Sequence, residues 1–220
     1  MTPKSFVKNL ADLRLDNCFN PYSDICPVYD KQNACLLRRL LFEQLLYVAS
    51  KSEVDAIWMG RDLGYKGGRR TGLALTDEVN AIAHAERWGI KAEQFTVGAM
   101  CKERTATIIW GVLQTIDAPI FLWNVFPLHP YIAGDFFSNR AHNARERKIG
   151  EEILSDLFDI LKPRRIVAIG NDALKSGLKI SGKASCCKVR HPSYGGHNEF
   201  VEQISSLYGL DMHDKQGALF

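Results

Sequence analysis

Apolar residues along the chain follow two kinds of spacing. Residues 34–50, ACLLRRLLFEQLLYVAS, carry apolar side chains three or four positions apart, which predicts a helix packed on a core. The short apolar run DAIWM at 55–59 ends at Gly60 and predicts a buried strand. The same patterns recur and predict a strand at 120–126, a helix from Arg145, strands at 164–170 and 184–189, and a closing helix over EFVEQISSLYGL.

This alternation of strands and helices predicts the fold class. It favours a three-layer α/β/α arrangement around a central four-stranded, mainly parallel sheet. Ligands of such sheets bind at the loops beyond the carboxyl ends of the strands. Because no internal repeat, low-complexity tract or Pro-rich linker divides the sequence, we expect a single domain over residues 1–220.

Composition narrows the class of protein without identifying it. The chain is 46% hydrophobic and 24% charged, as in globular proteins, and its net charge of +3 permits a nucleic-acid partner without requiring one. No apolar run approaches the roughly 20 residues that span a bilayer, and the N-terminus lacks the apolar core of a secretory signal. We therefore expect a cytoplasmic protein with reduced cysteines, no membrane partner and, by default, a monomeric state.

Three polar loops follow predicted strands. The first, GRDLGYKGGRRTG, holds one carboxylate, Asp62, and its glycine spacing matches neither of the familiar nucleotide-phosphate loops. The second places Asn124 at a strand end, where its carboxamide offers the donor and the acceptor needed to read the Watson–Crick edge of a pyrimidine. The third, HPSYGG, supplies His191, Ser193 and Tyr194. Each loop alone is equally well explained by turn formation or by a satisfied structural amide.

Taken in order, the three loops resemble the uracil-DNA glycosylase superfamily, whose members carry a GxD- or GExPG-like loop, an Asn-containing motif and a late HPS. The segments GYKGGRRTGLALTDE and FNPYSDIC are similar to the bacterial branch, and the resemblance covers roughly residues 17 to 200. It implies a DNA glycosylase that flips uracil or a modified pyrimidine out of DNA and hydrolyses its N-glycosidic bond, leaving an abasic site.

The resemblance also implies roles for single residues. Asp62 would stabilise the cationic sugar and orient the attacking water, and His191 would donate to the base oxygen as negative charge develops there. Because Asp62 offers no amine for Schiff-base chemistry, we expect a monofunctional enzyme. The residues expected to recognise the base are Asn124, Gly64, Tyr65 and Leu75. Those expected to contact DNA are Arg69 and Arg70 at phosphates, Ser193 at a phosphate or the histidine, and Tyr194 in a strand-entering loop.

The chain departs from relatives that hold an iron–sulfur cluster. Cys18 and Cys26 are eight positions apart rather than in a CxxC pair, and no cysteine lies between Phe126 and Ser185. The four-thiolate set of such a cluster is therefore incomplete. We expect no metal and no cofactor.

The predicted pocket departs from the uracil-specific pattern in two places. Where relatives have the Phe of a GVPFT-like segment, this chain has GLALT with Ala74 and Leu75, and Leu63 and Gly64 follow the aspartate where those enzymes have Pro and Tyr. Smaller side chains would leave room near C5 of the base. An alternative is therefore an antiviral glycosylase for a bulky hypermodified cytosine, such as glucosylated hydroxymethylcytosine in phage DNA, instead of a DNA-repair enzyme.

Two hypotheses that assign the protein to another functional class also agree with the sequence. A catalytically silent DNA-binding module would keep the fold and read damaged or single-stranded DNA. A hydrolase of free nucleosides would share the glycosidic chemistry but would have no use for phosphate-binding arginines. Strong salt dependence of DNA binding would separate a DNA enzyme from a nucleoside hydrolase, because phosphate contacts release counterions.

Overall fold

Helices and strands alternate along most of the chain. The computed structural model describes residues 1–182 and 184–210. The helices in these ranges are α1 Pro3–Asp12, α2 Ala34–Ala49, α3 Gly68–Thr71, α4 Glu78–Glu86, α5 Arg104–Leu113, α6 Ala144–Leu161, α7 Asn171–Ile180 and α8 His197–Tyr208. The strands are β1 Cys18–Phe19, β2 Ala56–Gly60, β3 Ile120–Asn124, β4 His129–Pro130, β5 Arg165–Ile169 and β6 Ser185–Val189.

Four parallel strands form the central sheet in the order β3-β2-β5-β6. Gly60 pairs with Asn124 across β2 and β3, and Ile169 pairs with Val189 across β5 and β6, so the carboxyl ends of all four strands meet at one edge. The predicted four-stranded parallel sheet is confirmed. A small antiparallel pair, β1 with β4, was not predicted because two residues are too few to show periodicity.

Successive residues of a strand pack into two separate hydrophobic cores, one on each face of the sheet. In β2, Ile57 and Met59 pack with α1, α2 and α6, whereas Ala56 and Trp58 pack with α5 and α8. Successive side chains of a strand point to opposite faces, so a sheet covered on both faces needs apolar residues at every position. This explains why β2 and β3 are buried along their whole length. The predicted three-layer α/β/α architecture is confirmed.

The order of the strands creates a switch point between β2 and β5. From β2 the chain runs to β3 on one side of it, then crosses to β5 on the other side and continues outward to β6. Crossovers that leave in opposite directions open a crevice beyond the carboxyl ends of the two central strands. The loops that follow β2, β5 and β6 therefore converge at this edge, and two of them carry Asp62 and His191.

The segments that frame this edge are fixed by local signals. Helix α6 begins at a capping box in which Asn143 and Glu146 bind each other's backbone amide. At the end of β2, a Cβ added to Gly60 would lie 2.4 Å from the side-chain oxygen of Asn124, so the glycine leaves room for the Asn124 carboxamide at this place. No helix in the described part of the chain is long and apolar enough to cross a membrane.

Candidate active site

A cleft of about 610 Å³ opens at the switch point of the sheet. This volume lies within the usual range of ligand pockets, about 300–1,000 Å³. Its walls come from the loops after β2, β5 and β6 and from the segment before α6. Of the residues expected from the sequence, those that line it are Asp62, Gly64, Leu75, His191, Ser193 and Tyr194. The structure thus brings the first and third polar loops together.

Asp62 lies in the cleft with both carboxylate oxygens already bound. Its Oδ1 lies 2.5 Å from Nδ1 of His142, and its Oδ2 accepts from Nε of Arg61 at 2.7 Å. The Asp62 side chain is only 6% exposed. Hydrogen bonds from two nitrogen donors stabilise a negative charge on the carboxylate and fix its plane.

His191 is half-buried on another wall of the cleft. Its Nδ1 accepts a hydrogen bond from the backbone N–H of Ser193 at 3.2 Å, so the neutral ring carries its proton on Nε2. Burial lowers the pKa of His191 below its ordinary value of 6.5, and the positive charge of Arg61 lowers it further. A neutral imidazole with an Nε2–H donor is therefore the favoured form of this side chain.

Asn124 lies beneath the cleft rather than on its surface. The residue is 1% exposed, and neither atom of its carboxamide has a hydrogen-bond partner among residues 1–182 and 184–210. Leu75 lies near it: Asn124 Oδ1 and Leu75 Cδ2 lie 2.4 and 2.7 Å from the same position, that of a Cβ added to Gly60. Leu75 lines the cleft and has a left-handed backbone, with φ of 55°. The lining of the cleft therefore comes close to the Asn124 carboxamide.

Gly64 and Tyr65 form the lip of the first loop. A Cβ added to Gly64 would find a single neighbour within 4 Å among the described residues, Asn139 Oδ1 at 4.0 Å. Tyr65 is half-buried, and its backbone N–H donates to the same Asn139 oxygen at 3.0 Å. Lys66 comes next, is exposed, and lies with its ammonium 5.6 Å from the centre of the Tyr65 ring. The loop therefore leaves open space at Gly64.

Arg69 and Arg70 do not line the cleft. Arg69 is 3% exposed; its Nε donates to the Tyr29 hydroxyl at 2.8 Å, and its guanidinium lies 3.9 Å from the centre of the Phe19 ring. Arg70 donates to Glu78 at 2.7 Å and its guanidinium lies over the Tyr29 ring. Both side chains hold the first loop against the body of the protein. This arrangement does not support the phosphate-binding role expected from the sequence.

The third loop presents Ser193 and Tyr194 at the rim. The Ser193 hydroxyl lies 3.3 Å from that of Thr105, and its backbone supports His191. Tyr194 is 99% exposed and has a φ of 53°. An aromatic side chain so fully exposed on a cleft rim is available to a macromolecular ligand.

Sequence reasoning missed several residues of this site. His142 and Arg61 bind Asp62, while Asn139 and Arg190 line the cleft. Arg61 adjoins the aspartate in the sequence and could have been singled out. His142 and Asn139 lie in an irregular segment before α6 where no spacing marks them. Nothing in the sequence pattern indicated that this segment folds back over Asp62.

The cysteines do not gather at the cleft. All six are free, and Cys18 donates to Glu146 at 3.3 Å. Burial, together with this carboxylate, raises the pKa of the Cys18 thiol to about 12. In the described ranges, no three His, Cys, Asp or Glu side chains are grouped so that they could hold a metal ion. The expectation that the protein needs no metal or cofactor stays a prediction.

Comparisons with known proteins define the class of fold. No protein-family profile matches the sequence. No curated protein matches it either. Solved structures do match: wild-type SMUG2 of Pedobacter heparinus aligns over 95% of this chain and 97% of its own, with a TM-score of 0.61 and 14% sequence identity. The chain therefore shares the fold of this structure.

Proposed function

We propose that this protein is a monofunctional DNA glycosylase that rotates a uracil or modified pyrimidine nucleotide into the cleft and hydrolyses its N-glycosidic bond. The observation that carries the proposal is the pairing of Asp62 and His191 in one cleft. Asp62 is a carboxylate held by two donors, and it offers a negative charge to a ligand in the cleft. His191 is a neutral imidazole that offers an Nε2–H donor to the same ligand. The fold shared with SMUG2 supports a glycosylase function.

The chemistry of glycosidic cleavage needs such a pair. As the bond between sugar and base loosens, positive charge develops on the sugar and negative charge on the base. Asp62 would stabilise the sugar cation and orient the water that attacks it, and the Nε2–H of His191 would donate to the oxygen of the departing base. Preorganised groups need no rearrangement as charge develops, so their effect is larger than that of mobile groups in water.

Asn124 would identify the base after Leu75 moves aside. Its carboxamide can donate to a base oxygen and accept from a base N–H, which the uracil edge offers together. Because the amide is buried and has no partner among the described residues, its donor and its acceptor are both available to a base. A base without the matching edge would leave it unpaired, and the free-energy penalty for that would disfavour the wrong substrate.

Contacts with DNA would come from the rim of the cleft. Tyr194 is the side chain proposed to enter the base stack, filling the space left by the rotated nucleotide. The exposed Arg190 and the hydroxyl of Ser193 are placed to meet flanking phosphates, in the role first expected for Arg69 and Arg70.

A second candidate substrate is a bulky substituted cytosine, as would suit defence against phage DNA. The observation that favours it is the space at Gly64, where uracil-specific enzymes have a tyrosine that excludes a C5 substituent. A cytosine-type anion is a poorer leaving group than uracilate, so its excision would depend more strongly on the donor at His191.

The test is base excision on a panel of oligonucleotides. The protein is incubated without metal on DNA containing uracil, a thymine mismatch, hypoxanthine, hydroxymethylcytosine or glucosylated hydroxymethylcytosine, and abasic sites are then cleaved with alkali. Cleavage at uracil would identify a repair activity, and cleavage only at the glucosylated base would identify the second candidate. Binding without abasic sites on any substrate would refute the proposal and favour a silent DNA-binding module.

Two variants show whether the named side chains perform the reaction. Asp62→Asn and His191→Ala should each slow base release by about 10²–10³-fold, the usual effect of removing one group that stabilises transition-state charge. DNA affinity should stay close to that of the wild type, and should weaken steeply with added salt. Salt-independent activity on free nucleosides would instead indicate a nucleoside hydrolase.

A further inference from the structure

The side chain that contacts Asp62 most closely is one to which the motifs assigned no role. His142 is 7% exposed overall and its side chain 1%, and its Nδ1 lies 2.5 Å from Asp62 Oδ1. Its ring also packs against Phe126, with 6.1 Å between ring centres. This contact joins the loop after β2 to the segment before α6.

The backbone around His142 is held on both sides. Arg140 donates twice to the Glu146 carboxylate, at 2.7 Å each, and Glu146 in turn accepts from the N–H of Asn143 at 2.7 Å. His142 lies between Arg140 and Asn143, so these bonds fix the chain on either side of it. Its imidazole is therefore a rigid support for Asp62 rather than a mobile surface group.

The geometry fixes which nitrogen of the His142 ring donates. Nδ1 lies 2.5 Å from Asp62 Oδ1, and because a carboxylate oxygen accepts, Nδ1 is the donor. Nε2 is buried and has no hydrogen-bond partner within residues 1–182 and 184–210. The contact with Asp62 is therefore the one hydrogen bond of this ring among the described residues.

We propose that His142 is a positioning residue for Asp62, acting with Arg61 to hold the carboxylate in the orientation that faces the sugar and the attacking water. This inference rests on the proposed glycosylase function. His142 occupies Oδ1 and Arg61 occupies Oδ2, so the rotation of the carboxylate is blocked from both sides.

The kinetic test compares two substitutions of the same histidine. His142→Leu removes the donor, whereas His142→Asn keeps an N–H donor on an atom bonded to Cγ, where Nδ1 stood. The leucine variant should lose about 10- to 100-fold in single-turnover base release, the usual worth of a hydrogen bond to a charged group, with DNA affinity unchanged. The asparagine variant should recover most of that loss.

A matched control separates this role from a general need for a buried histidine. His84 is 3% exposed, its ring lies against Trp110, and its Nε2 also has no partner in the described part of the chain. His84→Leu should leave the rate of base release per folded molecule unchanged. Equal losses in His84→Leu and His142→Leu, or equal rates in the two His142 variants, would overturn the inference.

A spectroscopic test keeps the inference separate from the proposed function. In protein labelled with ¹⁵N-histidine, NMR should show an Nδ1–H proton, shifted downfield by its carboxylate partner, that disappears in His142→Asn. If that signal is absent, the inference fails whatever the activity. If it is present but no oligonucleotide yields abasic sites, the proposed function fails instead.

Discussion

A single substitution at Gly64 should decide how large a base the cleft admits. An added Cβ would meet only Asn139 Oδ1, at 4.0 Å, among the described residues, and the Gly64 backbone does not have the left-handed φ that would strain a side chain. Gly64→Tyr should therefore fold. Replacing a glycine that needs no special backbone also reduces the freedom of the unfolded chain, which stabilises a protein by about 0.4–1 kcal/mol.

The size of the effect follows from the space that the ring removes. Forcing a group into an occupied site raises the free energy by about 1–3 kcal/mol, or about 5- to 150-fold in kcat/KM. Gly64→Tyr should impose this loss on a glucosylated or otherwise enlarged cytosine. Uracil has no C5 substituent and should be excised at close to the wild-type rate.

The assay is competition between two substrates in one reaction. Uracil and glucosylated hydroxymethylcytosine are placed in oligonucleotides of different length, and the ratio of abasic products is measured for wild type, Gly64→Ala and Gly64→Tyr. The alanine variant adds only the Cβ and should keep the wild-type ratio. An unchanged ratio in the tyrosine variant, with normal thermal stability, would refute the view that Gly64 opens the pocket.

Three further predictions concern other groups of the cleft. Asn124→Leu should abolish base excision without unfolding the protein, because it replaces a buried carboxamide with an apolar side chain that can neither donate to nor accept from a base; the excision assay and urea denaturation measure the two effects. Tyr194→Ala should leave thermal stability unchanged, since the side chain is 99% exposed, while slowing base flipping as followed by 2-aminopurine fluorescence. Burial and the charge of Arg61 lower the pKa of His191, so the single-turnover rate should stay level from alkaline pH down through 6.5, the ordinary pKa of histidine. The rate should fall only at lower pH, where protonation of Nδ1 breaks its hydrogen bond with the Ser193 N–H. A rate that falls near neutral pH would contradict this.

The fold could be predicted because helices cover both faces of the sheet, which requires apolar side chains on both faces of its central strands. A strand buried on two faces is apolar at nearly every position, and the segments 56–59 and 120–123 follow this rule. The predicted helix at 34–50 matches α2 almost residue for residue. Helices α1, α4, α5 and α7 were not predicted, because they are nine or ten residues long and offer few turns of periodicity.

Two residues of the candidate site could be predicted from topology because they follow strands closely. Asp62 and His191 each come two positions after a strand of the same parallel sheet, so topology alone brings their loops to one edge. His142 belongs to a segment whose path is set by tertiary contacts, in particular the pairing of Arg140 with Glu146. The burial of Arg69 likewise depends on Phe19, which is 50 positions earlier in the sequence.

The burial of Asn124 would make the proposed recognition of the base selective. An amide exposed to water exchanges one set of hydrogen bonds for another on binding a base, so its net gain is small. Asn124 is buried instead, and its carboxamide has no hydrogen-bond partner in the described structure. In the proposed reaction, a base with the matching edge would pair both the donor and the acceptor, whereas a mismatched base would leave them unpaired at a cost of about 1–3 kcal/mol. The selectivity would thus follow from the cost of leaving a buried polar group unpaired.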